Sequence, residues 1–148
     1  MEARIAELIP RLRRYARALS TSGLPSDGLV RATLERAGQE LGGAQTRSDL
    51  RGWLFGLMHD VYVRSLAGIE EGGLANDASP PGSFEQVIGE LTAGQREVFL
   101  LVTLEDMRYD EVARALNVPI GTVMSRLSRA REKLRLRLTS QARLRASK

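Results

Sequence analysis

Apolar residues recur at helical spacing along most of the chain. Ile5, Leu8, Ile9, Leu12, Tyr15, Ala16 and Leu19 lie three and four positions apart and form one amphipathic stripe. Ser22, Gly23 and Pro25 break that stripe, and Ser26 or Asp27 can cap a second helix bearing Leu29, Val30, Thr33, Leu34, Ala37 and Leu41 on one face. Gly42 and Gly43 end it, and a polar loop runs to Ser48. A third stripe follows through Leu50, Trp53, Leu54, Leu57, Met58 and Val61. Three such helices can close a bundle, since each buries its stripe against the other two. Trp53 and Leu57 are expected in that core beside Leu12, Tyr15, Leu34 and Leu54.

Periodicity stops from Gly68 to Ser83, where GIEEGGLANDASPPGS holds four glycines and two prolines. Such a stretch reads as a linker and sets a domain boundary. Helical signals resume at once. Ser83 with Gln86, and Thr92 with Gln95, have the spacing of capping boxes. A long apolar helix is predicted from Thr92 to Glu105, a short one from Tyr109 to Leu116, and a long one from Ile120 to about Leu138. Asn117 tolerates the left-handed backbone of a tight turn, and Pro119 suits a first helical turn. No period-two run is long enough for a strand. The expected fold is all-α: a three-helix bundle over residues 1–67, a flexible linker over 68–83, and a helix-turn-helix domain over 84–148.

Composition narrows the chemistry. The chain of 148 residues has no cysteine and one histidine, His59, which excludes thiolate nucleophiles, disulfides and any multi-histidine metal centre. No phosphate loop and no nucleophile paired with a base is visible, so neither an enzyme nor a cofactor or small-molecule substrate is expected. Arg4 and Glu7 interrupt any apolar signal core, and no apolar run approaches the roughly 20 residues of a membrane span. A cytoplasmic protein with no membrane association is the expectation.

Charge is unevenly placed. Residues 1–74 carry +1, residues 75–119 carry −5 and residues 120–148 carry +8. A basic end behind an acidic middle suits a polyanion such as nucleic acid, and on charge alone it equally suits a solvated tail. The last helix favours the first. Val123, Leu127, Ala130 and Leu134 form its buried stripe, leaving Thr122, Ser125, Arg126, Ser128, Arg129, Arg131 and Lys133 on the other faces with Glu132 as the single acid. Small polar residues at the N-terminal end permit close approach to DNA, and arginine grips guanine edges or phosphate.

The stretch LTAGQREVFLLVTLEDMRYDEVARALNVPIGTVMSRLSRAREKLRLRL, Leu91 to Leu138, resembles region four of bacterial extracytoplasmic-function (ECF) sigma factors. Its most specific part is Val118-Pro119-Ile120-Gly121-Thr122-Val123 followed by Ser125 to Arg131. PRLRRYARAL, LVRATLERA and DLRGWLFGLMHDVYV, starting at Pro10, Leu29 and Asp49, resemble region two of the same family. The resemblance implies a subunit that binds core RNA polymerase and double-stranded promoter DNA, and is held by an anti-sigma factor. By motif position it assigns DNA contact to Thr122, Met124, Ser125, Arg126, Ser128, Arg129 and Arg131. Polymerase contact would fall on Asp27, Leu29, Val30, Arg31 and Leu34, and the minus-ten region on Arg51, His59, Asp60 and Arg64.

Several positions depart from the family pattern. Met124 stands where many members carry Lys or Arg, and Arg108 where they place a Ser or Thr cap. Asp27-Gly28-Leu29-Val30-Arg31-Ala32 lacks two acids and a glutamine usual at the polymerase-binding helix, and Asp60 replaces an asparagine. These changes motivate a second reading, a sigma-like decoy that binds an anti-sigma factor without initiating transcription. Trp53 and Phe55 are the aromatics near the minus-ten positions, and Trp53 lies on the apolar stripe and is expected in the core. His59 is expected at a polar rim.

Overall fold

The computed structural model of the protein describes residues 2–20, 26–40, 49–67 and 83–146. Seven helices are formed among these residues: α1 (Glu2–Leu19), α2 (Ser26–Gln39), α3 (Leu50–Ala67), α4 (Phe84–Glu90), α5 (Ala93–Thr103), α6 (Tyr109–Leu116) and α7 (Ile120–Ala146). The described residues contain no strand, as the periodicity requires. The breaks expected at 22–25 and 42–48, and residues 68–82 of the linker expected at 68–83, lie outside the described residues.

Local signals in the second half act as their residue types dictate. The Ser83 hydroxyl accepts the Gln86 N–H, and Thr92 and Gln95 form a reciprocal capping box. Arg108 offers no side-chain cap to α6; the Glu111 carboxylate instead accepts the Arg108 N–H at 3.0 Å. Asn117 adopts the left-handed region, φ 55° and ψ 51°, and turns α6 into α7. Helix α7 continues to Ala146, past the expected end near Leu138, because no glycine or proline follows to stop it.

The first three helices pack as their stripes predict, with Leu12, Tyr15, Leu54 and Leu57 buried. Two positions differ. Trp53 and Leu34 are only partly buried, whereas Phe55 is buried and meets Tyr15 edge-on at 5.1 Å. The reason is that α3 is buried on two sides. One side meets α1 and α2, and the other receives α6. Phe55 therefore lies between packed elements and Trp53 at the margin.

The two halves do not have separate interiors. One apolar cluster runs from Leu12, Tyr15 and Phe55 through Val98 and Leu101 to Val112, Leu116, Val123 and Leu127. A smaller cluster, Val87, Ile88, Leu91, Ala130 and Leu134, seats α4 on α7. Ionic contacts cross the same seam: Arg14 to Glu105 at 3.0 Å, Arg51 to Glu111 at 2.7 Å and His59 to Glu97 at 2.6 Å. No helix of the described residues is long and apolar enough to cross a membrane.

Candidate nucleic-acid interface

The exposed surface of α7 follows from its packing. Val123, Leu127, Ala130 and Leu134 point into the protein at 0, 2, 0 and 6% exposure, the stripe expected from spacing. Ser125, Ser128, Arg129 and Arg131 consequently face solvent, as does Met124. The helix's one acid, Glu132, is engaged by Arg135 at 2.6 Å. Arg129 and Arg131 form no ion pair among the described residues, so their charge is available to an anion. Thr122 is half-buried at the first turn.

Arg126 is placed differently. It is half-buried and crosses α5 at Gly94, where a Cβ would lie 3.1 Å from its Cζ. The absence of a side chain at Gly94 makes room for the arginine. Its charge acts on both His59 and Glu97. Arg126 therefore belongs to the seam between the halves as well as to α7, and of Arg126 and Arg129 only Arg129 is exposed.

His59 and Glu97 form the centre of that seam. Burial pushes the Glu97 carboxyl above its usual range, against the opposing pull of the His59 bond and the nearby Arg126 and Arg96 charges. The bond to Glu97 raises the His59 pKa, against partial burial; Asp60 adds to the rise and Arg126 opposes it. Arg96 sits beside them with its guanidinium satisfied on all sides. It donates to Tyr62 Oη at 2.7 Å and to the carbonyls of Ile88, Gly89 and Leu91 at 3.0–3.1 Å, which caps the end of α4. Sequence spacing gave no sign of Arg96, Glu97 or Glu105 as buried charges, because their partners lie on other helices.

The positions expected to serve the minus-ten element are mostly occupied by these contacts. Arg51 is held by Glu111, His59 by Glu97, and Asp60 lies 3.7 Å from Arg36. Arg64 alone of the four is exposed without an ion pair among the described residues. Trp53, His59, Asp60, Arg36 and Arg114 line an open cleft between α2, α3 and α6. Phe55, the other aromatic near these positions, is core.

Of the positions expected to contact the polymerase, Asp27, Val30, Arg31 and Leu34 share a groove between α1 and α2 with Arg13 and Arg17. Leu29 and Val30 are each only 5% exposed, so most of their surface serves the core rather than a partner. Arg31 stands out in solvent, 3.5 Å from Glu35 one turn on. Gly28 beside it is exposed.

The comparisons with known proteins agree with this arrangement. Residues 82–134 match the family model for sigma-70 region 4, and residues 5–59 match the sigma2 domain of PhyR. The chain is 31% identical to the ECF RNA polymerase sigma factor EcfG of Rhodopseudomonas palustris, covering 88% of this chain and 80% of that one. In fold it is similar to the sigma factor RpoE of Bartonella quintana, solved in complex with the anti-sigma factor NepR, with TM-score 0.79, 24% identity, and 93% and 96% of the two chains covered. The anti-anti-sigma factor PhyR of the same organism, also solved with NepR, shares the fold at TM-score 0.66 and 22% identity, over 89% of this chain and 48% of PhyR. With a match to sigma-70 region 4 and 31% identity to a relative over 88% of its length, the chain belongs to the ECF RNA polymerase sigma factors.

Proposed function

We propose that this sigma factor binds core RNA polymerase through residues 1–67 and reads double-stranded promoter DNA through α7 of residues 84–148, with 68–83 as the connection. The observation that carries this reading is the face of α7: Ser125, Ser128, Arg129 and Arg131 exposed opposite a fully buried stripe, on a helix with one self-paired acid. Small hydroxyls admit the helix to the major groove, and the arginines hold bases or phosphate. Arg51, Arg64 and the cleft residues His59 and Asp60 are assigned to the minus-ten side. Since Arg51 and His59 are paired with the second half, their use on DNA requires the seam to open. An anti-sigma factor is the proposed regulatory partner, in keeping with the NepR-bound structures of similar fold. The work is regulatory, and it takes place where the polymerase is, in the cytoplasm.

A second reading has a specific basis. The first half matches the sigma2 domain of PhyR, and exposed Gly28 and Arg31 occupy positions that the family pattern fills with acid and glutamine. On this reading the chain is a decoy that captures an anti-sigma factor. Runoff transcription with core polymerase on a promoter library separates the two. Specific transcripts that depend on the protein support the sigma factor; none, together with tight anti-sigma binding, supports the decoy.

A further inference from the structure

The first turns of α7 carry two large apolar side chains in solvent. Ile120 is 48% exposed and Met124 52%. Four residues apart on a helix, they stand one above the other on a single flank. Neither is needed by the core, which takes Val123 and Leu127 from the same turns. Gly121 lies beside them with open space where its Cβ would be, so nothing packed against it calls for a glycine. Exposed Ser125 follows. The N-terminal part of the helix therefore presents an apolar flank next to a low, bare surface, and the free cations Arg129 and Arg131 begin one turn further on.

A helix that held DNA through phosphate alone would place cations on this flank. Leaving two aliphatic side chains in water forgoes burial that contact with another apolar surface would recover. In the major groove one base carries such a surface, the C5-methyl group of thymine. Met124 is well suited to it, being unbranched and able to fit its chain to the methyl's position. Both residues are exposed with the two halves closed, so this contact does not depend on freeing Arg126.

On the reading of α7 as the DNA-binding helix, we propose that Ile120 and Met124 form an apolar reader of thymine methyl groups in the major groove. Met124 thereby exchanges a cationic contact, indifferent to sequence, for a base-specific one.

The test uses the full chain and a duplex selected from a randomised pool. Each thymine of the duplex is replaced singly by deoxyuridine, which removes the methyl and leaves every hydrogen-bonding group unchanged. One or two replacements should weaken wild-type binding about three- to fivefold, the scale of one buried methyl. Met124→Ala should bind the thymine duplex less well and lose the penalty at the thymine that Met124 reads, keeping at most the one that Ile120 reads. Met124→Lys should lose the same penalty, and should steepen the dependence of log affinity on log salt by about one phosphate contact. Unchanged wild-type affinity at every deoxyuridine, or the same penalty in Met124→Ala, overturns the proposal. Arg129→Ala keeps the two levels apart. If Arg129→Ala weakens duplex binding while deoxyuridine has no effect, methyl reading alone is wrong. If the wild type selects no duplex, both fall.

Discussion

Gly56 of α3 lies against the backbone of α6, such that a Cβ at this position would stand 2.8 Å from the Ala115 carbonyl oxygen. The neighbour is backbone and cannot swing aside. This one missing methyl sets how closely the halves approach, and the approach brings Arg51 within reach of Glu111. Gly56→Ala should gain about 1 kcal/mol of helix propensity and lose more, about 1–3 kcal/mol, by overpacking. A lower melting temperature is expected. Gly38→Ala is the control, since its Cβ would meet nothing within 4 Å. It should raise stability by about 0.5–1 kcal/mol. Melting curves that move the same way for both substitutions would contradict the role given to Gly56.

Closure should also depend on pH, through His59 and Glu97. His59 is faced by Glu97, Asp60 and Arg126; Glu97 is faced by His59, Arg126 and Arg96. Pairing with Glu97 raises the His59 pKa in the folded protein above its ordinary 6.5. A group shifted upward stabilises fully below its unfolded pKa and loses that contribution as pH rises through the folded one. Glu97, raised from 4.5 by burial, acts in the same direction at lower pH. Thermal stability of the wild type should therefore fall as pH rises above the ordinary histidine value of 6.5 and through the raised value of the paired His59. His59→Gln, which keeps a donor but does not titrate, should give a flatter profile. Parallel profiles would remove His59 as the source.

What was legible in the sequence was local, and what was not depended on partners distant along the chain. Asn117, the Thr92–Gln95 box and the Val123–Leu134 stripe could be read because their causes lie within a few residues. Trp53, expected in the core, is only partly buried at its edge, and Phe55, outside the expected stripe, is fully buried. Periodicity gave α3 one buried side, whereas packing in the whole fold gives it two, and Phe55 meets Tyr15 of α1 edge-on. Arg96, Glu97 and Glu105 read as ordinary helix charges because Tyr62, His59 and Arg14, which explain their burial, are 34, 38 and 91 positions away. The exposed face of α7 was legible almost entirely, except that the contact of Arg126 with Gly94 could not be seen.

Arg126 and Arg129 should consequently behave differently when removed. Arg129 touches no acid among the described residues and is exposed. Arg129→Ala should weaken duplex binding by about 1–3 kcal/mol and leave thermal unfolding unchanged. Arg126→Ala should weaken binding too, and in addition destabilise the protein, because it removes a cation beside a buried carboxyl. Titration of duplex at several salt concentrations, run alongside melting curves, reads both effects. Equal melting temperatures for the two variants would show that Arg126 has no part in the seam.

The last prediction concerns the polymerase-facing groove, where Gly28, Arg31 and Ala32 stand at the start of α2. Asp27 is the acid of that first turn, a position the helix dipole favours for negative charge. Gly28 and Arg31 are exposed, and Arg31 is tied only to Glu35 in an exposed pair, which costs little to break. Leu29 and Val30 are largely consumed by the core, so a partner here meets mainly charge: Asp27, Arg31 and the Arg13 and Arg17 of α1. A polymerase surface complementary to acids would meet arginine instead, and like-charge contacts in a desolvated interface cost several kcal/mol. Core binding by the wild type should therefore be weak but measurable, through Asp27 and Leu34. Gly28→Asp, Arg31→Gln and Ala32→Asp together should strengthen it at least tenfold, with little change in folding because none of the three side chains is in the core. The measurement is core-polymerase affinity with runoff transcription, for wild type and triple variant side by side. A triple variant that binds core no better than wild type would show that these charges do not face the polymerase. One that binds tightly yet still fails to initiate would move the cause to the minus-ten side, where Arg51 and His59 are held by Glu111 and Glu97.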